Sequence, residues 1–334
     1  MIYKSSGMFI NIIWLIVGLV LILVGANILT DGASSIARRM GVSDLVVGLT
    51  IVAFGTSAPE LVISVIAAGE GSAPLAIGNV VGSNIFNILV IIGLTSLVRP
   101  IRVERSIMTM EIPMVILSSV VLLVLGNSAF LNGNSVNEVS RVDGIFLLIL
   151  FVLFLRYTFG VAKKPGGETG KVDEVEKTLP EKTLPLWRAT LYVLLGLGGL
   201  IFGGEKFVDG ASGIAYCLGI SEAVVGLTIV ATGTSLPELA TSIVAALKGK
   251  PGLAVGNVIG SNIFNVLMVL GVAGCITPLP FGAINNLDLL TLLAGSVAFL
   301  IFGWYFKDRT ITRAEGAILF LGYLAYVTIL LSNL

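Results

Sequence analysis

The sequence predicts an all-α integral membrane protein, with ten transmembrane helices arranged as two inverted five-helix repeats. Three observations predict it. Charge is too sparse for a water-facing surface, the chain repeats itself without a gap, and basic residues crowd into alternate loops.

Charged residues make up 12% of the 334 positions and hydrophobic residues 56%, with a mean hydropathy of +1.01. Soluble domains carry about 25% charged residues. A membrane-spanning helix needs roughly 20 apolar residues. Such helices are expected at 8–37, 43–69, 74–98, 106–126 and 140–160, then at 188–215, 221–247, 252–276, 285–306 and 311–331. The first run has the look of a signal peptide. It has a counterpart inside the chain, however, and an internal copy is not a cleaved signal.

The repeat sets the organisation. Residues 47–94 align with 225–272 without a gap, VGLTIVAFGTSAPEL against VGLTIVATGTSLPEL and AIGNVVGSNIFNIL against AVGNVIGSNIFNVL. The match extends back to Gly18 with Gly196 and Gly25 with Gly203, and forward to Pro100 with Pro278. Five helices per repeat is an odd number, so the second repeat enters the membrane from the opposite face. The halves are then related by a pseudo-two-fold axis in the membrane plane.

Basic residues agree. Of the 20 lysines and arginines, all but Lys4, Arg141 and Lys206 fall in the loops that ten helices place on one side. The positive-inside rule makes that side cytoplasmic, so both termini are expected outside. The expected division is a first repeat over 1–162, a cytoplasmic linker over 163–185 and a second repeat over 186–334. The linker, KKPGGETGKVDEVEKTLPEKTLP, has the polar composition of a solvated tether.

Several classes of chemistry drop out. A net charge of zero gives no sign of a nucleic-acid partner. The chain has no histidine, which removes Ser-His and Cys-His catalysis and His-ligated zinc. Cys217 and Cys275 read as small residues within apolar runs. No cofactor and no obligate protein partner is expected, only the lipid bilayer.

The chemistry concentrates at Glu60 and Glu238. Each stands mid-way along an apolar helix, at equivalent places in the two repeats. An ionised side chain there costs at least about 2.5–3.5 kcal/mol. The alternative, an acid paired with an intramembrane base, lacks a repeated lysine or arginine beside either one. The two-fold axis brings both toward one midplane site, where two carboxylates offer hard oxygen ligands suited to Ca2+. Pro59 and Pro237, each one residue earlier, free backbone carbonyls and kink the helix. Thr56, Ser57 and Ser64 lie near Glu60 by helical spacing, as do Thr234, Ser235 and Ser242 near Glu238. In the following helices Ser83, Asn87, Ser261 and Asn265 face the acids. Asn84 and Asn262 are expected to point elsewhere and pack helices, with Asn79 and Asn257 open between the two roles. Asp31 and Asp209 are read as structural. Glu111, Asp143, Asp288 and Glu315 are read as helix-start acids.

GTSAPEL and GTSLPEL, each followed by a G-N-x-x-G-S-N-I-F-N segment, resemble the alpha repeats of the sodium/calcium exchanger superfamily, over nearly the whole chain and most closely its prokaryotic members. The resemblance implies that Glu60 and Glu238 bind Ca2+ and that Thr56 and Thr234 offer their carbonyls. It implies Na+ sites at Ser57, Ser235, Ser83 and Ser261, carbonyl ligands at Ala53 and Ala231, and Asn87 at the centre. Some relatives carry aspartate where this chain has Asn265, which argues against potassium co-transport. The implied function is Ca2+/Na+ antiport by alternating access in the cell membrane, both ions competing for one site. Ca2+/H+ antiport is the alternative within transporters. A cation channel and an intramembrane enzyme fit the duplicated, histidine-free pattern less well.

Overall fold

The computed structural model describes residues 2–132, 136–162, 184–218, 231–282, 284–305 and 309–332. Apolar runs become helices where they were expected. Helix α1 spans Ile2–Met40. A bent pair follows, α2 (Asp44–Thr56) and α3 (Ala58–Gly69), meeting at 46°. Then come α4 (Ala73–Val98), α5 (Ile107–Leu125) and α6 (Arg141–Ala162). The second half has α7 (Leu186–Cys217), α8 (Leu236–Leu247), α9 (Pro251–Ile276), α10 (Asn286–Tyr305) and α11 (Arg313–Ser332).

Among the described residues eight helices are long and apolar enough to cross a membrane, and the bent pair makes nine. The remaining expected span, 221–247, begins in 219–230, outside the described residues. Its described part is α8, preceded by a turn of helix at Ala231–Gly233. The linker at 163–183 also lies outside them.

Contacts between the halves obey the two-fold relation. Helices α1 and α7 pack along glycines. A Cβ placed on Gly25 would meet Gly196 O at 2.8 Å, and one on Gly196 would meet Leu29 N at 2.7 Å. Gly32 lies against Ala189 and Val193, and its equivalent Gly210 lies against Asn11 and Leu15. Contacts that descend one helix while climbing the other require antiparallel axes, as inverted copies do. Small residues let backbones approach where packing rather than water drives association.

Helices α4 and α9 form the centre. The most apolar stretch of each is 78% buried, against 28% for α1 and α7, which turn residues such as Phe9, Ile16 and Leu194 outward. The turns that close α3 and α8 use Gly71 (φ 77°) and Gly249 (φ 75°), a left-handed conformation that glycine adopts without strain. Two short antiparallel ladders tie the ends together, β1 (Ile101–Arg102) with β4 (Thr310–Ile311) and β2 (Glu138–Val139) with β3 (Leu279–Pro280).

Three of the helix-start acids are caps. Asp143 accepts from Ser140 N at 2.8 Å, Asp288 from Asn285 N at 2.9 Å and Glu315 from Thr312 N at 2.8 Å. Glu111 corrects the expectation. It ends a widened π turn at Ile107–Glu111, is 4% exposed, and caps nothing. The structural reading of Asp31 and Asp209 is matched by ion pairs, Asp31 with Lys248 at 2.6 Å and Asp209 with Lys206 at 3.0 Å.

Candidate ion-binding site

Each proline ends one helix and starts the next. Ser57 (φ −87°, ψ 7°) and Ser235 (φ −90°, ψ 5°) leave the helical geometry in the same way. Pro59 and Pro237 then stand in the first turn of α3 and α8, where an N–H has no partner in any helix and its lack is harmless. Glu60 and Glu238 fall in that same turn. The positive end of a helix dipole favours a carboxylate there. The break thus supplies a buried helix N-terminus for each acid.

Both acids are buried, at 1% exposure each. Ser57 donates to Glu238 Oε1 at 3.0 Å, which brings the break of the first repeat onto the acid of the second. Ser83 reaches Glu60 Oε1 and Ser261 reaches Glu238 Oε1, each at 3.5 Å. The other carboxyl oxygens, Glu60 Oε2 and Glu238 Oε2, have no hydrogen-bond partner, nor do Asn87 Oδ1, Asn265 Oδ1, Ser235 Oγ and Thr234 Oγ1. Buried polar atoms without partners are rare and costly. Here the four carboxyl and amide oxygens lie on equivalent residues of the two repeats, and the two hydroxyls belong to the second repeat alone.

The remaining predicted residues divide. Thr56 is fully buried, its hydroxyl 3.1 Å from both Val52 O and Asn257 Oδ1. The Ala53 carbonyl accepts the helical bond from Ser57 N at 3.0 Å, with the Thr56 hydroxyl 3.4 Å away. Ala231 sits in the short helix before the second break. The open question over Asn79 and Asn257 is decided: Asn79 donates to Glu60 O (3.3 Å) and Ser64 Oγ (3.0 Å), and Asn257 to Glu238 O (3.3 Å) and Ser242 Oγ (3.1 Å). They brace the acid-bearing turns. Ser64 and Ser242 belong to these braces and not to the acids.

The two-fold relation is imperfect here. The mates of the Thr56–Asn257 and Ser57–Glu238 contacts would join Thr234 to Asn79 and Ser235 to Glu60, yet the hydroxyls of Thr234 and Ser235 have no partner. Thr234 and Asn79 are half-buried, whereas Thr56 and Asn257 are fully buried.

The family model described as sodium/calcium exchanger protein matches residues 10–160 and 188–332. The chain belongs to the sodium/calcium exchanger family. It is 42% identical over 328 residues to the putative antiporter CaxA of Alkalimonas amylolytica, covering 98% of this chain and 100% of that one. It is 32% identical to the sodium/calcium exchanger MaX1 of Methanosarcina acetivorans, covering 96% and 98%. The solved sodium-calcium exchanger NCX_Mj superposes with a TM-score of 0.80 at 31% identity, covering 96% of this chain and 98% of that one. The protein is therefore a multi-pass membrane antiporter of cations and not an enzyme, and its ions are cargo rather than cofactors.

The expected packing role of Asn84 and Asn262 is matched, and its partners are the asparagines read as facing the acids. Asn87 Nδ2 donates to Asn262 Oδ1 at 3.2 Å, and Asn265 Nδ2 to Asn84 Oδ1 at 3.1 Å, across the repeat boundary. The helices widen into π turns here, at Asn87–Ile91 and Phe264–Val269. Such widening is rare and recurs at functional sites. The duplication of the S-N-x-x-N spacing was the available signal; the register of the widened turn was not.

Proposed function

We propose that this exchanger moves Ca2+ against Na+ by alternating access, with both ions using one overlapping site around Glu60 and Glu238. The observation that carries this is the set of unpartnered oxygens on two buried acids of opposite repeats. Ca2+ takes 6–8 oxygens, carboxylate and carbonyl alike, in flexible geometry. Glu60, Glu238, Asn87 and Asn265 supply side-chain oxygens. Ser57, Ser83, Ser235 and Ser261 supply hydroxyls, and Ala53, Thr56, Ala231 and Thr234 supply backbone carbonyls. Among the described residues no cluster of three or more acids, cysteines or histidines exists. Two acids plus neutral oxygens bind a divalent ion without the charge excess that traps it, which suits a carrier. The same two charges serve one Ca2+ or several Na+, so the ions compete. Without an ion, two carboxylates would face each other in a dry pocket, and that repulsion opposes crossing empty.

The repeats are taken as 1–162 and 186–334, joined by a cytoplasmic linker over 163–185, in the plasma membrane with both termini outside. The basic loops support this orientation. The Thr56–Asn257 contact then lies on the cytoplasmic side of the two acids, and Thr234 and Asn79 on the outer side.

The test is 45Ca2+ uptake into proteoliposomes under an imposed Na+ gradient, wild type beside Glu238→Gln. Wild type is expected to take up Ca2+ with the gradient and the variant to lose the flux. Uptake that ignored Na+ and followed a pH gradient would replace Na+ with H+ as the coupled ion. Full flux in Glu238→Gln would remove the site.

A further inference from the structure

A carboxamide has an oxygen at one end and an NH2 at the other. Half a turn about its last bond exchanges them. In a cation site the exchange is ruinous, since a ligand becomes a donor pointed at positive charge. Some neighbour must therefore fix which end faces the ions.

For Asn265 that neighbour is visible. Its Nδ2 donates to Asn84 Oδ1 at 3.1 Å, and its own Oδ1 is buried without a partner. Asn84 is fixed in turn, because its Nδ2 donates to the main-chain carbonyl of Asn262 at 3.1 Å. A main-chain carbonyl is an acceptor only and has no flipped form. The chain of donors therefore runs one way, from Asn265 to Asn84 to backbone. Reversing Asn84 would set its NH2 against that of Asn265 and its oxygen against the Asn262 carbonyl. The matching contact in the other repeat lacks such an anchor, since Asn262 Nδ2 has no partner.

We propose that Asn84 is a positioning residue for the exchange site, holding the Asn265 amide so that its oxygen, and not its NH2, is offered on the helix face shared with Ser261. This rests on the proposed ion site and adds a residue that touches no ion. Groups that orient metal ligands are typically worth roughly 10–100-fold in metal affinity.

The test is a cycle of four proteins: wild type, Asn84→Leu, Asn265→Asp and the double variant, assayed for Na+-driven 45Ca2+ exchange in proteoliposomes. An aspartate at 265 has two oxygens and no NH2, so nothing remains to hold. Asn84→Leu is expected to raise the apparent KM for Ca2+ roughly tenfold or more when Asn265 is present, and to change it by less than about threefold on the Asn265→Asp background. Equal losses on both backgrounds, or no loss on either, would overturn the proposal and leave Asn84 a packing residue. Asn84→Ala, which removes the acceptor without adding bulk, replaces Asn84→Leu if that variant does not fold. Failure of both to fold would also assign Asn84 to packing. Glu238→Gln separates the two ideas. If it is inactive while the cycle fails, only the role of Asn84 falls; if it is active, the site itself falls.

Discussion

Replacing Gly25 by alanine tests the inverted geometry at one of its close main-chain approaches. The new Cβ would stand 2.8 Å from Gly196 O and 2.9 Å from Leu200 N, both main-chain atoms that no rotamer change can move aside. Ordinary contact begins near 3.4 Å. Helices α1 and α7 must therefore part by roughly half an ångström, which forfeits about a quarter of the dispersion attraction at the facing atoms. Overpacking of this kind costs about 1–3 kcal/mol. Gly196→Ala is the two-fold equivalent, with Leu29 N at 2.7 Å, and should cost the same. Gly198 lies on the same helix with nothing within 4 Å of its Cβ position and should tolerate alanine within about 0.5 kcal/mol. The assay is thermal unfolding of the purified protein in detergent. Gly25→Ala and Gly196→Ala are expected to lower the midpoint by on the order of 2–6 °C, at on the order of 2 °C per kcal/mol, with Gly198→Ala unchanged. If all three alanine variants melted together, the close antiparallel crossing of α1 and α7 would be wrong.

Two further predictions follow from pairings outside the ion site. Lys248→Met removes the 2.6 Å ion pair with Asp31, but the Asp31 side chain is 44% exposed. Screened pairs contribute about 0–1 kcal/mol, so the melting midpoint should hardly move, and a large fall would show that the pair is shielded. Asp143→Ala deletes the carboxylate that accepts from Ser140 N at 2.8 Å and Ser140 Oγ at 2.6 Å. The loss of such a cap costs about 1 kcal/mol, read as a small fall in midpoint and faster amide exchange confined to the first turn of α6.

What was legible in the sequence was whatever duplication or periodicity records. The described helices of both halves, the breaks before Pro59 and Pro237 and the burial of Glu60 and Glu238 all follow from residue type at equivalent positions. The caps at Asp143, Asp288 and Glu315 follow as well, since each acid stands three residues after its partner Ser140, Asn285 or Thr312. Glu111 was grouped with them by its place near a helix start. No such partner precedes it, and its turn is wound as π rather than α.

The packing partners of Asn84 and Asn262 were not legible. Helical-wheel reasoning at a fixed period sets residues three apart on slightly different faces and assigned one of each pair to the site and one to packing. The turns that start at Asn87 and Phe264 add backbone to the repeat, and the period changes there. Both asparagines of each pair meet across the boundary between the repeats. Composition does not encode that contact, because it is settled by what the opposite helix offers. Asn84 has an acceptor in the Asn262 carbonyl and a donor in Asn265 only because α4 and α9 cross at this level. Each half alone carries an unfinished set of hydrogen bonds. The site comes into being with the crossing, and it is a property of the pair of repeats that neither repeat's sequence holds by itself.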